Sequence, residues 1–411
     1  MVWQSCYAVL VWSLCISSKA QTVSWSTTVG TELYDYSRAV VSNSQGEIFI
    51  AGASRGQMAE NGTWDEIDTT MDAWVMKFSS DGNLLWTYQA GATGDDTGNA
   101  LRVTEDGGAN HVLLATYAAV EISVIWLDMT TGAVVQRADV ATPSHTYPYA
   151  MTTDNAAQIY VCGWTGGDFS TYGQTNLGDG DIFVMKLNDT TGAVSFISLQ
   201  GSSALERAPE LVVDQSDNIF LVGYTGGSLN GQNAGSNDIF VMKLDPYGDR
   251  LWTWQTGTAQ DDRGHSIQLD TTGNIFVGGY TAGSLFATSQ GYNDLFLLKL
   301  VDNGVSRTVA WSLQTGTSGT DYSQATLQLN TGMLLFGGYM DAYVWEGHPT
   351  EGDYDLALMQ VDAASGELNW TMRWGSAGFD VLLCTHLDGF GNLLATGYTN
   401  GNLEGTFQGR A

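Results

Sequence analysis

The sequence predicts an all-β fold: a seven-bladed β-propeller of four-stranded antiparallel blades, with a last blade left incomplete by the chain as written. Three observations predict it. One apolar heptad, DIFVMKL, stands unchanged at 181–187 and again at 238–244. Relatives of that heptad and of three other short strings recur in the same order at a period of about 55 to 60 residues, the mark of a repeat architecture. Apolar positions alternate or run continuously over five to seven residues, and helical periodicity appears nowhere.

The most regular string is an apolar run ending in Gly and an aromatic. It reads IFIAGAS (48–54), VLLATYA (112–118), IYVCGWT (159–165), IFLVGYT (219–225), IFVGGYT (275–281), LLFGGYM (334–340) and LLATGYT (393–399), which sets seven repeats. The heptad follows it, as DAWVMKF from Asp72, DLFLLKL from Asp294 and DLALMQV from Asp355, with SVIWLDM from Ser123 a degraded copy. A third string carries Trp with Gly five residues on, from Trp25, Trp86, Trp252, Trp311 and Trp370, Phe196 replacing Trp once. The fourth is a short alternating segment such as HSIQLD (265–270) or ATLQLN (325–330).

Strings rich in Val, Ile, Phe, Tyr and Trp, parted by turns such as DPYGD and DTTGN, read as four antiparallel strands per repeat. Strands apolar on both faces imply a sheet sandwiched between neighbours, so each repeat is one blade. The heptad recurs because every blade must bury the same strand against the next. Its lysine stem lies along apolar surface and leads the ammonium out to a carboxylate or to water.

DTTGNIFVGGYT, NDIFVMKL and YGDRLW together resemble the SBBP-type β-propeller repeat, and the resemblance covers nearly all of the chain beyond its first twenty residues. It implies a propeller of the kind seen in exported and surface proteins. It implies no catalytic residue and no cofactor.

With the HSIQLD-like segment innermost and the Trp strand outermost, residues 25–30 must complete the last blade and close the ring. That leaves the heptad strand of blade seven unassigned, as the C-terminus stops where it should begin. The first twenty residues read as a signal peptide, with an apolar run from Cys6 to Ile16 and small residues before Gln21. A buried N-terminal strand is the competing reading of the same run. Residues 21–411 then form a single propeller domain, expected to be a secreted or cell-surface monomer. Without the leader only Cys162 and Cys384 remain, too few for a disulfide framework. Asn61, Asn188 and Asn369 open N-x-T sequons and are the candidate glycosylation sites.

The formal net charge of −29 repels nucleic-acid phosphates and anionic lipid, which leaves protein, glycan or cationic partners. No 18-residue apolar stretch follows the leader, so no membrane span is expected. Acidic residues open the proposed inner strands: Asp35, Asp96, Glu206, Asp262, Asp321 and Asp380, with His145 in the remaining place. Such a ring is a candidate Ca²⁺ site, set against the plainer reading of six turn-forming carboxylates. The heptad aspartates are read as structural and the repeated tryptophans as core. Two irregular loops, 55–71 and 341–354, mix aromatics with acids. Flanking blade seven, they would bring Trp64, Asp65 and Glu66 towards Tyr343, Trp345, Glu346 and His348 as a ligand-binding patch. No catalytic constellation stands out. The sequence points to a binding or interaction module for a carbohydrate or a cationic partner, with a polysaccharide-active hydrolase or lyase as the alternative.

Overall fold

The structure is a computed structural model. It describes residues 8–16, 21–31, 33–58, 70–91, 94–106, 109–118, 121–142, 144–328, 332–341, 347, 352–401 and 408–410. Six blades each fold from four consecutive antiparallel strands: 35–90, 96–141, 146–200, 206–256, 262–315 and 321–374. A further sheet closes the ring from both ends of the chain, in the order Asp380–Leu387, Asn392–Thr399, Ala8–Ile16, Gln21–Val29 from the axis outwards. Gln408–Arg410 adds a short fifth strand to the outer edge of blade six.

This corrects the expectation of seven like blades with an incomplete last one: six blades are built from consecutive strands, and the ring is closed by a sheet drawn from both ends of the chain. Gln21–Val29 is its outer strand, as the Trp25 string predicts. Its third strand, however, is Ala8–Ile16, the apolar run assigned above to a leader, paired over eight residues with each neighbour. The register is in frame with the other blades. Ala8 pairs with Thr399 as Asp294 pairs with Thr281, and Ser13 pairs with Leu394 as Lys299 pairs with Phe276.

The inner strands neighbour one another around the axis, and the apolar core lies between blades rather than within them. Seven clusters of buried residues each straddle one junction. Tyr160 and Val184 of blade three, for example, pack on Leu211 and Phe240 of blade four, and Leu394 of the closing sheet packs on Ile50 and Trp74 of blade one. Phe183, Phe240 and Phe296, at one register of three heptads, are fully buried. Each such ring withdraws about 150 to 250 Å² from water, a gross gain of roughly 4 to 6 kcal/mol.

The heptad lysines behave as their stems require. Lys186 reaches Asp154 at 3.2 Å with its Nζ 4.7 Å above the Tyr160 ring, and Lys77 reaches Glu47 at 2.7 Å. The repeated tryptophans differ from expectation in being half-buried. Trp86, Trp252 and Trp311 each lie against a Phe of their own blade, Trp252 edge-on to Phe220, and these three and Trp25 donate an indole N–H into the next blade's turn. Trp252 bonds Asp302, Trp311 bonds the Ala363 carbonyl and Trp25 bonds that of Ser80. They are seals between blades.

Candidate functional site: the channel and its mouth

The acids that open the inner strands are buried, each in its own interblade turn. Asp262 accepts from Thr258 N (2.5 Å), Thr258 Oγ1 (2.8 Å) and Thr281 Oγ1. Glu206 accepts from Ser202 N (2.8 Å), Ser202 Oγ (2.6 Å) and Thr225 Oγ1 (2.6 Å). Asp35, Asp321 and Asp380 repeat the bonds to a backbone N–H and hydroxyl four residues earlier, and Asp96 is buried at the same register. One carboxylate thus ties the turn leaving one blade to the strands of the next. The seventh place belongs to Thr146, bonded to Thr165 at 2.8 Å, and not to exposed His145. Among the described residues no three His, Cys, Asp or Glu side chains are grouped to hold a metal ion.

The heptad acids form a second tier. Asp294 accepts from Gln314 at 2.8 Å, Asp238 from Gln255 at 2.9 Å and Asp355 from Arg373 at 2.8 Å. A Cβ on Gly257 would collide with the Asp238 carboxylate, which explains the glycine that follows the Trp strand. The two tiers meet: Asp321 is pushed up to about 6, chiefly by burial, with Asp294 adding to the rise. Both tiers tie turns to strands.

Trp64, Asp65, Glu66, Asn61, Tyr343, Trp345, Glu346 and His348 lie outside the described residues. Asn369 is exposed, whereas Asn188 is half-buried and bonds its own turn through Thr191.

What the fold brings together is a different set. Every inner strand slips register at the same point, next to its fourth residue, the signature of a β-bulge. A bulge re-aims side chains. It matters here because an inner strand is an edge strand, with unpaired backbone groups facing the axis. Side chains beside the bulge satisfy those groups on the neighbouring blade. Asn99 donates to Pro148 O (2.9 Å), Arg102 to Met151 O (3.1 Å) and Thr152 Oγ1 (2.9 Å), and Glu210 accepts from Ile267 N (2.8 Å).

At the mouth, the second residue of every inner strand but the first, whose Tyr36 meets Ala53, pairs with the aromatic near the end of the next strand, and several of these pairs link into a belt. Tyr117 and Tyr147 lie with rings 4.4 Å apart, and Tyr147 stacks on Trp164 at 5.7 Å. Arg207 sits 5.5 Å over Trp164, and Arg263 sits 4.5 Å over Tyr224 and 5.8 Å over Tyr280. His265 stacks on both those tyrosines, held neutral by burial and by Arg263, its imidazole near 4. Tyr280, Tyr322 and Tyr339 continue the belt at 4.9 and 5.2 Å. Tyr149 is raised to about 12, chiefly by burial, against the lowering pull of Arg207 and Arg38.

Guanidinium groups stand at this end beside the acids that open the inner strands. Arg263 is paired with Asp261 at 3.0 Å. Arg38 and Arg207, both on inner strands, have no carboxylate within 4.0 Å among the described residues. Arg207 Nε and Trp164 Nε1, neighbours in one cation–π contact, are buried donors without an acceptor. Such a surface stacks rings and receives anions in fork geometry. Sequence reasoning missed it because it read GYT as core. The available signal was the variation at the second inner position: Tyr36, Thr97, Tyr147, Arg207, Arg263, Tyr322 and Val381.

Residues 251–287 match the beta-propeller repeat model named SBBP. The chain carries an SBBP repeat. Among curated proteins none matches the sequence. Of solved structures, the Neurospora crassa Pan2 WD40 domain is 10% identical with a TM-score of 0.50, covering 90% of each chain. The Dos1 propeller is 12% identical at 0.49 over 91% of this chain and 94% of that one. An ulvan lyase, titled as a new family of polysaccharide lyase, is 12% identical at 0.49 over 84% and 87%. At these identities the likeness speaks to fold alone. The SBBP repeat thus sits on an all-β propeller of four-stranded antiparallel blades, and no helix among the described residues is long and apolar enough to cross a membrane.

Proposed function

We propose that this propeller is a secreted or cell-surface binding module whose channel mouth takes a carbohydrate carrying carboxylate or sulfate groups. One observation carries the reading. In a chain of net charge −29, Arg38 and Arg207 stand on inner strands without a carboxylate within 4.0 Å among the described residues, beside a belt of aromatic rings in which Arg207 follows Trp164. Rings stack on the apolar faces of sugars, and guanidinium groups supply bidentate bonds to anionic substituents. The acidic exterior repels such ligands everywhere else.

An array of neutral and acidic oligosaccharides tests this. Acidic glycans are retained over neutral ones, and Trp164→Ala with Arg207→Met lowers retention at least tenfold while the melting temperature stays within a few degrees. Equal retention of neutral and acidic glycans, or no change in the double variant, refutes it. The alternative, a polysaccharide-active hydrolase or lyase, is separated on the same samples by the appearance of new chain ends. Export rests on the run from Cys6 to Ile16 and the small residues before Gln21. Export that keeps residues 8–16 retains the closing strand, and cleavage after Ala20 vacates it, so the intact mass of protein recovered from the medium distinguishes the two.

A further inference from the structure

Below the mouth, four ionisable side chains stand on three inner strands and act on one another's charge: Arg102 of blade two, Glu210 of blade four, and Cys384 and His386 of the closing sheet. None belongs to the repeat. At the register of Arg102 the other inner strands carry Val41, Thr152, Val212, Gln268, Leu327 and His386. At that of Glu210 they carry Ala39, Ala100, Ala150, Ser266, Ala325 and Cys384. Small residues otherwise fill the register of Glu210, while that of Arg102 mixes aliphatic residues with Thr152, Gln268 and His386; the one guanidinium and the one carboxyl stand among them.

All four side chains are half-buried. The Glu210 carboxyl and Arg102 guanidinium act on each other's charge without forming an ion pair within 4.0 Å. Each is anchored by only part of its polar group. Arg102 uses Nε and Nη2, and Glu210 uses Oε2 alone, leaving Nη1 and Oε1 for another partner. The remaining groups facing Glu210 are uncharged near neutrality. Burial pushes the Cys384 thiol up to about 11 and raises Cys162, and His386, bonded to Ser42 at 3.1 Å, is lowered to about 4. Glu210 itself is pushed up to about 7, first by burial, against the lowering pull of Ile267 N–H and Arg102.

From this placement we infer a second site, deeper than the mouth and independent of its rings: Arg102 and Glu210 together hold a small carboxylate. The ligand's oxygens accept from the guanidinium and from the protonated Glu210 carboxyl. No covalent step is involved. Binding above the titration of Glu210 takes up one proton, and a cation in the same place would do the reverse.

Acetate, followed by calorimetry on the full chain, is the probe, with glucuronate as a second arm. Acetate affinity is expected to fall about tenfold per pH unit above neutrality. Glu210→Gln, a permanent donor, keeps the affinity seen at acid pH and loses its pH dependence. Arg102→Lys weakens acetate at every pH. If glucuronate shares the Glu210-dependent slope and binds more tightly, the site receives the acidic sugar of a larger ligand; if only acetate does, it is a separate small-acid site. Acetate binding that is absent, that strengthens with rising pH, or that is unaltered in Glu210→Gln overturns the inference. Trp164→Ala with Arg207→Met leaves the acetate slope in place, so failure at the mouth and failure here are read apart.

Discussion

Blade five and the closing sheet share one register and differ in how they are held. In blade five, Asp294 opens the third strand and takes the Gln314 amide from the outer strand at 2.8 Å. Blades one, four and six have the same lock in Asp72–Gln89, Asp238–Gln255 and Asp355–Arg373. The closing sheet has Ala8 where the aspartate stands and Thr28 where the glutamine stands. Its inner half keeps the turn carboxylate, Asp380, bonded to Ser376 N and Thr399 Oγ1 at 2.5 Å. The contrast separates two requirements. Occupying a blade position needs only an apolar strand that completes the ladder, whereas fixing the outer half to its neighbour needs a buried acid with a donor.

The largest way to break the comparison is to remove residues 1–16. This strips the partner from both Asn392–Thr399 and Gln21–Val29, and a loss of more than about 5 kcal/mol, comparable to a domain's whole margin, is expected. Thermal melting followed by circular dichroism should lose its single cooperative transition. A variant that melts as the full chain does would show that Ala8–Ile16 holds nothing.

Next come the locks. Arg373→Met strands Asp355, which is wholly buried, and should cost about 3 to 5 kcal/mol in denaturant unfolding. Ala8→Asp with Thr28→Gln writes the missing lock into the closing sheet and should stabilise it by about 1 kcal/mol, with neither single change doing so.

The smallest effect is in pH. Asp321 in the folded chain titrates at about 6, above its ordinary range, so it favours the folded state when protonated. Its contribution is complete below about pH 4 and is lost as pH rises through 6. Asp321→Asn should flatten that part of the curve of melting temperature against pH. A slope unchanged by the substitution would assign it to other acids.

Much of this fold was legible. Period-two strings, turn residues and the position of the Trp25 segment gave the blades, the order of strands and the joining of the two chain ends. The third strand of the closing sheet was not legible as such. AVLVWSLCI lacks the Asp and Lys of its siblings, and a strand that is almost wholly apolar in sequence has the composition of a leader's apolar core. That the repeated acids bond their own turns was readable, because a repeated residue has a repeated place. The mouth was hidden for a geometric reason: Arg263 meets Tyr224 of the neighbouring blade only once two registers and a bulge are known. Glu210 and Arg102 were visible only as breaks in a run of small residues, a signal that means little until those residues are known to face the axis.

The bulge shared by the inner strands has an evolutionary consequence. It presents Arg38, Asn99, Tyr149, His265 and Leu383 from equivalent backbone positions, while the sheets behind them are locked by other residues. Point changes there can rewrite what the axis recognises without asking the ring to fold anew, so divergent copies of this repeat have room to acquire new ligands one letter at a time.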